Sequence, residues 1–273
     1  MSGDYLHLSE LRIVLLGYRR AGKSSSGITI LGREEFDTVV KTAQCVKRQG
    51  QVAGRQVTVV KAPGWWNNYE LEETPELIKN EIELSLSLCP PGPHALLLVI
   101  DLAEPFTETG KRSVQEHLEL LSERVWSHTI VLFTRGDWLG DTPIEQHIES
   151  EGDSLQWLVE KCGNRYHVFN NQKREDHMQV TQLMEKIEEM VAGNRGRHCE
   201  MERHRREILE EKRWRDEKRV KERMMKVKIE RESLRSLMGE LRISYSTTSL
   251  LLLVSNGLYI SFLYTVTDIL HSR

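Results

Sequence analysis

One octapeptide, GYRRAGKS at residues 17–24, constrains the fold of this chain more than any other stretch. It satisfies the pattern G-x-x-x-x-G-K-S, follows the apolar run LRIVLL and precedes the helix-like run SSSGITIL. Glycines at both ends let the backbone curl so that its N–H groups face inward, and the helix adds its positive end. In such a loop Lys23 would reach the β- and γ-phosphates of a nucleotide, and the Ser24 hydroxyl would bind Mg²⁺. The octapeptide therefore predicts a phosphate-binding loop between a buried strand and a helix.

The residues on either side of this loop alternate strand-like and helix-like runs, which predicts an α/β fold with a mostly parallel sheet covered by helices on both faces. The parallel strands are predicted in LRIVLLG, RQVTVVKAP, HALLLVIDL, HTIVLFT and YHVFN. A further strand, QCVKRQGQV, is expected to pair antiparallel with RQVTVV across a turn at Ala53 and Gly54. Helices are predicted in SSSGITIL, ETPELIKNEIELSLSL, TGKRSVQEHLELLSERV, SLQWLVEKCG and MQVTQLMEKIEEMVAG.

Composition narrows the classes of partner and compartment. The net charge is −3, so no global basic field favours a nucleic-acid partner. The cysteines Cys45, Cys89, Cys162 and Cys199 form no CxxC pair, which favours buried thiols in a reducing compartment. The N-terminal MSGDYLHLSE has no apolar run that would serve as a signal peptide.

A second motif indicates which base the nucleotide carries. The run TRGD, residues 134–137, follows the buried strand HTIVLF and has the spacing of the guanine-reading box of GTPases, usually Asn-Lys-x-Asp. Asp137 would accept two hydrogen bonds from guanine, which adenine cannot supply, while Arg135 would lie along the base or support the loop. Asn170 ends the next strand, where a last loop usually touches the base.

The C-terminal third differs in composition. Residues 196–242 are mostly charged or polar with both signs mixed, which predicts a single charged helix or a weak coiled coil. Residues 243–267 contain no Asp, Glu, Lys or Arg and are long enough to cross a bilayer as a helix. Either this segment anchors the protein in a membrane, or it docks on the domain or on a second copy.

The runs GKSSSGITILG, GPHALLLVIDLAEPFTETGKRSVQEHLELL, FTRGD and FNN together resemble the immunity-associated GTPases, the GIMAP or AIG-type group. The resemblance covers residues 8–195 and implies a Ras-like G domain that binds GTP and GDP. It also implies GTP-dependent dimers or oligomers on the cytosolic face of an intracellular membrane, and frequently slow hydrolysis. Without an inserted tail, the expected location is the cytosol.

The resemblance also implies a set of nucleotide-binding residues. The phosphate loop and the residue after it supply Gly17, Tyr18, Arg19, Arg20, Ala21, Gly22, Lys23, Ser24 and Ser25. The switch regions and base-reading loops supply Thr42, Gly64, Thr134, Arg135, Asp137 and Asn170. Ser24 and Thr42 would bind Mg²⁺, with Thr42 also sensing the γ-phosphate.

One stretch departs from the family pattern. In VTVVKAPGWW, residues 57–66, Lys61 stands where an aspartate usually orders Mg²⁺, and Ala62 replaces a threonine. Lys61 either points into the site and partly replaces the cation, or turns outward and leaves a weakly held Mg²⁺. Trp65 and Trp66 stand where a Ras-type GTPase has its water-orienting glutamine, so unaided hydrolysis is expected to be slow.

Three functions follow from these patterns. The first is a membrane-anchored guanine-nucleotide switch or scaffold that self-associates. The second is a GTPase completed by a partner or by oligomerisation. The third is a degenerate domain that binds no nucleotide and acts through its tail.

Overall fold

A computed structural model describes residues 8–36, 43–67, 69–173 and 175–244 of the chain. Its centre is a six-stranded sheet in the order β2-β3-β1-β4-β5-β6. The strands are β1 (Glu10–Leu16), β2 (Val46–Val52), β3 (Arg55–Lys61), β4 (Ala95–Asp101), β5 (Thr129–Thr134) and β6 (Tyr166–Val168). All neighbouring pairs are parallel except β2 and β3, so the predicted mostly parallel sheet is confirmed.

The apolar runs of the sequence form the middle of this sheet. Every residue of β4 and β5 is buried, as are all residues of β1 except Glu10. Since successive side chains of a strand point to opposite faces, both faces of these strands must be covered. The β2–β3 hairpin turns at Ala53 and Gly54, which both have positive φ (49° and 77°), as a tight two-residue hairpin turn requires.

The α-helices that pack around this sheet are α1 (Lys23–Leu31), α2 (Glu76–Leu84), α3 (Glu108–Glu119), α4 (Ile144–Glu151), α5 (Asp153–Lys161) and α6 (His177–Gly193). Helix α2 is shorter than predicted at both ends. The hydroxyls of Ser85 and Ser87 donate to the carbonyls of Ile82 and Leu84, so these serines support a turn rather than another helical turn. Helix α4 was not predicted, and Gly152, at φ 99°, separates it from α5.

A long helix, α7 (Arg203–Ser244), follows the sheet domain. It begins later than the predicted boundary at residue 196, because residues 194–202 form turns and irregular coil. Its first turns belong to the first of two compact units, Met1–Arg213. There Arg205 makes a bidentate pair with Glu83 at 2.7 Å, and Arg213 Nε lies 3.3 Å from a carboxylate oxygen of the buried Glu81.

The second unit begins at Trp214. Its described helix carries large apolar side chains that are at least two-fifths exposed: Trp214, Val220, Met224, Met225, Val227, Ile229, Leu234, Leu237 and Met238. Within the described ranges, no helix is both long and apolar enough to cross a bilayer. Nearly all of the predicted anchor at 243–267 lies outside those ranges, so the membrane prediction stays open.

Candidate nucleotide-binding site

The phosphate loop lies where β1 ends and α1 begins, as predicted. Gly17 has φ 134°, and a Cβ there would lie 2.5 Å from the Val99 carbonyl oxygen of β4. Gly22 has φ 98°, and its Cβ would lie 2.9 Å from the Thr134 methyl group. Both glycines are therefore required by backbone conformation and by close approach to neighbouring strands.

Lys23 closes this loop from the inside. Its buried ammonium donates to the carbonyl oxygens of Gly17 and Tyr18 at 2.7 and 2.6 Å. Burial first, and then the neighbouring charges of Lys61 and Arg19, lower the pKa of Lys23 to about 7. A phosphate chain in the loop would accept hydrogen bonds from the same ammonium and would offset the repulsion among these three cations.

The side chain of Lys61 points into the site, which decides between the two orientations that the sequence left open. Lys61 is the last residue of β3 and only 5% exposed. Its ammonium donates to the Ser24 hydroxyl at 3.0 Å and lies 5.7 Å from the centre of the Phe36 ring. Ser24, the predicted Mg²⁺ ligand, is thus in direct contact with a cationic side chain.

The turn after β3 is tied to the phosphate loop through Arg19. The Arg19 backbone N–H donates to the Trp65 carbonyl at 2.7 Å, and its Nε donates to the Gly64 carbonyl at 3.2 Å. A Cβ on Gly64 would lie 2.8 Å from the Arg19 nitrogen and 2.6 Å from Lys23 Nζ. Gly64 therefore serves the site by close packing, at the position where the family resemblance placed it.

Trp65 and Trp66 have different environments. Trp65 is buried and stacks on His117 of α3, with ring centroids 4.4 Å apart and planes 8° from parallel. His117 Nδ1 donates to the Ser113 carbonyl at 2.7 Å, so its Nε2 accepts from the Thr74 hydroxyl at 2.8 Å. Trp66 is 42% exposed, and the Arg19 guanidinium lies 4.5 Å from its ring centre. Trp65 is therefore a core residue, whereas its neighbour Trp66 lies at the surface.

The guanine-box segment follows β5 and contacts the phosphate loop. The Thr134 hydroxyl donates to the Ala21 carbonyl at 2.8 Å. Arg135 has φ 57°, and its Nε lies 3.3 Å from a carboxylate oxygen of Asp101. Asp137 is exposed and accepts from the Gln172 side chain at 3.2 Å. Its carboxylate is thus at the surface, where a base could reach it.

The side chain of Asn170 stabilises the loop that contains it. Its side-chain oxygen accepts from the backbone N–H groups of Gln172 and Lys173 at 3.0 and 3.3 Å. Since Gln172 also donates to Asp137, it connects the two predicted base-reading loops. Sequence reasoning missed Gln172, because a glutamine in a polar loop has no distinctive pattern.

Asp101 is another residue of the site that the sequence reasoning missed. It ends β4 opposite Thr134, is 2% exposed, and its backbone N–H donates to the Tyr18 hydroxyl at 3.0 Å. Burial raises the pKa of Tyr18, so this phenol stays neutral. Asp101 thereby joins Tyr18 of the phosphate loop to Arg135 of the guanine box. The sequence did contain a signal for Asp101: a carboxylate ends the apolar run ALLLVID, and ligands of open parallel sheets bind at the carboxyl ends of the strands.

The structure brings several of the predicted residues into contact. Lys23 bonds to Gly17 and Tyr18, Arg19 bonds to Gly64, and Thr134 of the guanine box bonds to Ala21. Asp137 and Asn170 lie on loops joined by Gln172. Ser25 is half-buried at the start of α1, and Arg20 is exposed with φ 69°. Thr42 lies outside the described residues, so its role stays a prediction.

Several known proteins are similar in sequence to the part of this chain that contains the sheet and the phosphate loop. Human GTPase IMAP family member 8 is 33% identical over 205 residues, which cover 72% of this chain and 30% of that protein. Immune-associated nucleotide-binding protein 9 of Arabidopsis thaliana is 32% identical over 197 residues, covering 68% of this chain and 56% of that protein. The chain therefore spans less than a third of its human relative and about half of its plant relative.

A solved structure has the same fold. The crystal structure of Toc33 from Arabidopsis thaliana in complex with GDP and Mg²⁺ superposes with a TM-score of 0.55 at 15% identity, covering 68% of this chain and 86% of that one. At that identity the likeness shows the fold alone. Residues 11–219 match the AIG1 family. This match spans the sheet domain, the phosphate loop and the first turns of α7, and we conclude that the chain belongs to the AIG1 family.

Proposed function

We propose that this protein is a guanine-nucleotide-binding switch or scaffold of the AIG1 type. The observation that carries the proposal is the contact between its two diagnostic motifs: Thr134 of the guanine box donates to Ala21 of the phosphate loop. Thr134 and Ala21 are 113 residues apart in sequence, yet this hydrogen bond holds the two motifs side by side. The cations Lys23, Lys61 and Arg19, which contact the phosphate loop and Ser24, suit a polyphosphate.

The first test is to identify the nucleotide that the purified full chain carries, and to compare its melting temperature with GDP, GTP, ADP and ATP. A ligand at 100 times its Kd adds about 2.7 kcal/mol to the free energy of unfolding, which a melting experiment detects. We expect guanine nucleotides to shift the melting temperature and adenine nucleotides to have no effect. Equal shifts would contradict guanine recognition, and no shift with any nucleotide would favour the degenerate domain that acts through its tail.

We also propose that hydrolysis is slow in the isolated protein. Trp65 occupies the position after Gly64 and is buried against His117. An indole has an N–H donor but no acceptor, so it cannot draw a proton from an attacking water. Multiple-turnover phosphate release measures this directly. Fast release by the dilute protein would refute the proposal, and release that accelerates on forced oligomerisation would favour a GTPase completed by a second copy.

Self-association through the turn after β3 is the next part of the proposal. Trp66 and Tyr69 are each 42% exposed, their ring centroids are 6.1 Å apart, and Arg19 of the phosphate loop covers the Trp66 ring. This surface is therefore in contact with the phosphate loop itself. In the chloroplast translocon components atToc33 and psToc159, represented by a solved structure of similar fold, dimerization is important for the GTPase activity.

Sedimentation velocity with GDP and with a non-hydrolysable GTP analogue tests this proposal. We expect the native protein to form a larger species with the GTP analogue than with GDP. Trp66→Ser should abolish that larger species. Met178→Ser is the matched control, since Met178 is an exposed apolar residue on α6. If both variants or neither reduce association, the surface at Trp66 is not the interface.

Membrane anchoring by residues 243–267 completes the proposal, on the sequence argument alone. The absence of charged residues from this segment supports it. The expected location is the cytosolic face of an intracellular membrane. Membrane association of the full chain should resist carbonate extraction and should be lost when residues 243–273 are deleted. Extraction by carbonate would instead support a tail docked on protein.

A further inference from the structure

The fold family uses Mg²⁺, so the first question is whether the residues of this site suit that ion. Mg²⁺ needs oxygen ligands at about 2.0–2.1 Å in near-octahedral geometry. Ser24 offers a hydroxyl, but that hydroxyl accepts a hydrogen bond from the Lys61 ammonium at 3.0 Å. Lys61 also stands where the carboxylate that helps to order Mg²⁺ is expected. A cation is thus present where the fold normally supplies an anion, and the described residues fit the metal poorly.

The inward position of Lys61 is built into the sheet. In β3 it pairs in register with Val46 of β2 on one side and Leu15 of β1 on the other. Since side chains alternate between the two faces of a strand, the backbone of β3 sets the face on which Lys61 lies, the face of Ser24. The aliphatic stem is buried at this position, and the Phe36 ring lies beside the ammonium. An outward turn would require β3 to change its register.

We propose that the Lys61 ammonium takes the place of Mg²⁺ as the counter-charge to the phosphates of the nucleotide, so that binding depends little on a divalent cation. This inference rests on the proposed nucleotide binding. The ammonium is a compact charge with three N–H donors, which suits oxygens of a phosphate chain held by Lys23 and the loop backbone. Unlike Mg²⁺, the ammonium supplies only one positive charge and does not act as a Lewis acid. The same substitution therefore permits binding and disfavours turnover.

The test compares affinities for GDP and GTP in excess Mg²⁺ and in excess EDTA, using the full chain. For the native protein we expect the two affinities to agree within about threefold, because no metal is part of the binding free energy. Lys61→Met keeps the length of the stem and removes the charge. It should weaken binding in both conditions by about tenfold or more, the loss typical of a charge-assisted hydrogen bond.

Two further variants sharpen the comparison. Lys61→Asp restores the usual carboxylate, so its affinity should become dependent on Mg²⁺ and fall by about tenfold or more in EDTA. Lys47→Met is the matched control, because Lys47 lies on the neighbouring strand β2 with an exposed side chain. It should bind as the native protein does in both conditions.

The outcomes separate the inference from the function on which it rests. A native protein that binds guanine nucleotide in Mg²⁺ and loses it in EDTA overturns the inference and leaves the proposed function intact. Unchanged affinity in Lys61→Met overturns it as well. A native protein that binds in neither condition refutes the proposed function instead. Since the comparison of Mg²⁺ with EDTA needs only the native chain, a variant that fails to fold does not weaken the test.

Discussion

Replacing Thr134 with valine removes one hydroxyl from the contact between the guanine box and the phosphate loop. Thr134 is 1% exposed, and its hydroxyl donates to the carbonyl oxygen of the fully buried Ala21 at 2.8 Å. Valine has nearly the same shape and keeps a methyl group against Gly22, so no cavity forms. The expected loss is that of a buried hydrogen bond together with an unsatisfied carbonyl, roughly 1–3 kcal/mol in the free energy of unfolding.

The same strand supplies a matched control. Thr129 begins β5, is fully buried, and donates to the Val125 carbonyl at the same distance, 2.8 Å. Thr129→Val therefore removes an equivalent bond at the end of the strand away from the phosphate loop. Denaturant unfolding should show similar losses of stability in the two variants. For a domain of this size each kcal/mol corresponds to a fall of roughly 2–4 °C in melting temperature.

Nucleotide affinity distinguishes the two variants. In Thr134→Val the Ala21 carbonyl loses its hydrogen bond from Thr134, so the neighbouring backbone N–H groups of the phosphate loop are positioned less rigidly. We expect affinity for GDP to fall by about tenfold, which corresponds to roughly 1.4 kcal/mol. Thr129→Val should bind GDP as the native protein does. If both variants lose affinity equally, the effect comes from general stability, and unchanged affinity in Thr134→Val would refute the role given to this contact.

Three further outcomes are expected. Asp137→Ala should lower affinity for GDP by about 10- to 100-fold, the loss of hydrogen bonds to a charged group, whereas the exposed Asp141→Ala on the same loop should not. Arg55→Met leaves the buried carboxylate of Glu188 without its guanidinium partner and should lower the free energy of unfolding, measured in urea, by about 3–5 kcal/mol. Combining it with Glu188→Leu should recover most of that loss. No recovery would contradict the importance of the ion pair. Burial lowers the pKa of His117 to about 4, so between pH 6.5 and 4 the unfolded chain binds the extra proton and stability falls as pH falls, by on the order of 3 kcal/mol. His117→Gln should remove this contribution and lessen the fall in stability without abolishing it, because burial also lowers the pKa of His94 and of His167 to about 4. An unchanged slope would exclude His117 as a source.

Much of this architecture is readable from local pattern. The octapeptide at residues 17–24, the apolar strands and the hairpin at Ala53 and Gly54 each depend on residues close together in sequence. Strand periodicity, glycine conformations and helix signals are local, so a single chain is enough to predict the parallel sheet and the position of the phosphate loop. The substitution at Lys61 was also visible, because it breaks a local motif.

Other features depend on contacts between residues that are distant in sequence. The direction of Lys61 is set by its pairing with β1 and β2 and by its contact with Ser24, 37 residues away. Trp65 is a core residue because His117 lies beside it, and Trp66 is exposed although it is its neighbour. Asp101 joins two loops through Tyr18 and Arg135.

The sequence by itself therefore determined the class of fold, the phosphate loop and the location of the altered metal site. The tertiary structure decided which way the substituted lysine points and which side chains connect the loops. The physical reason is that backbone conformation is governed by near neighbours, whereas the surroundings of a side chain are created when separate strands and helices pack together.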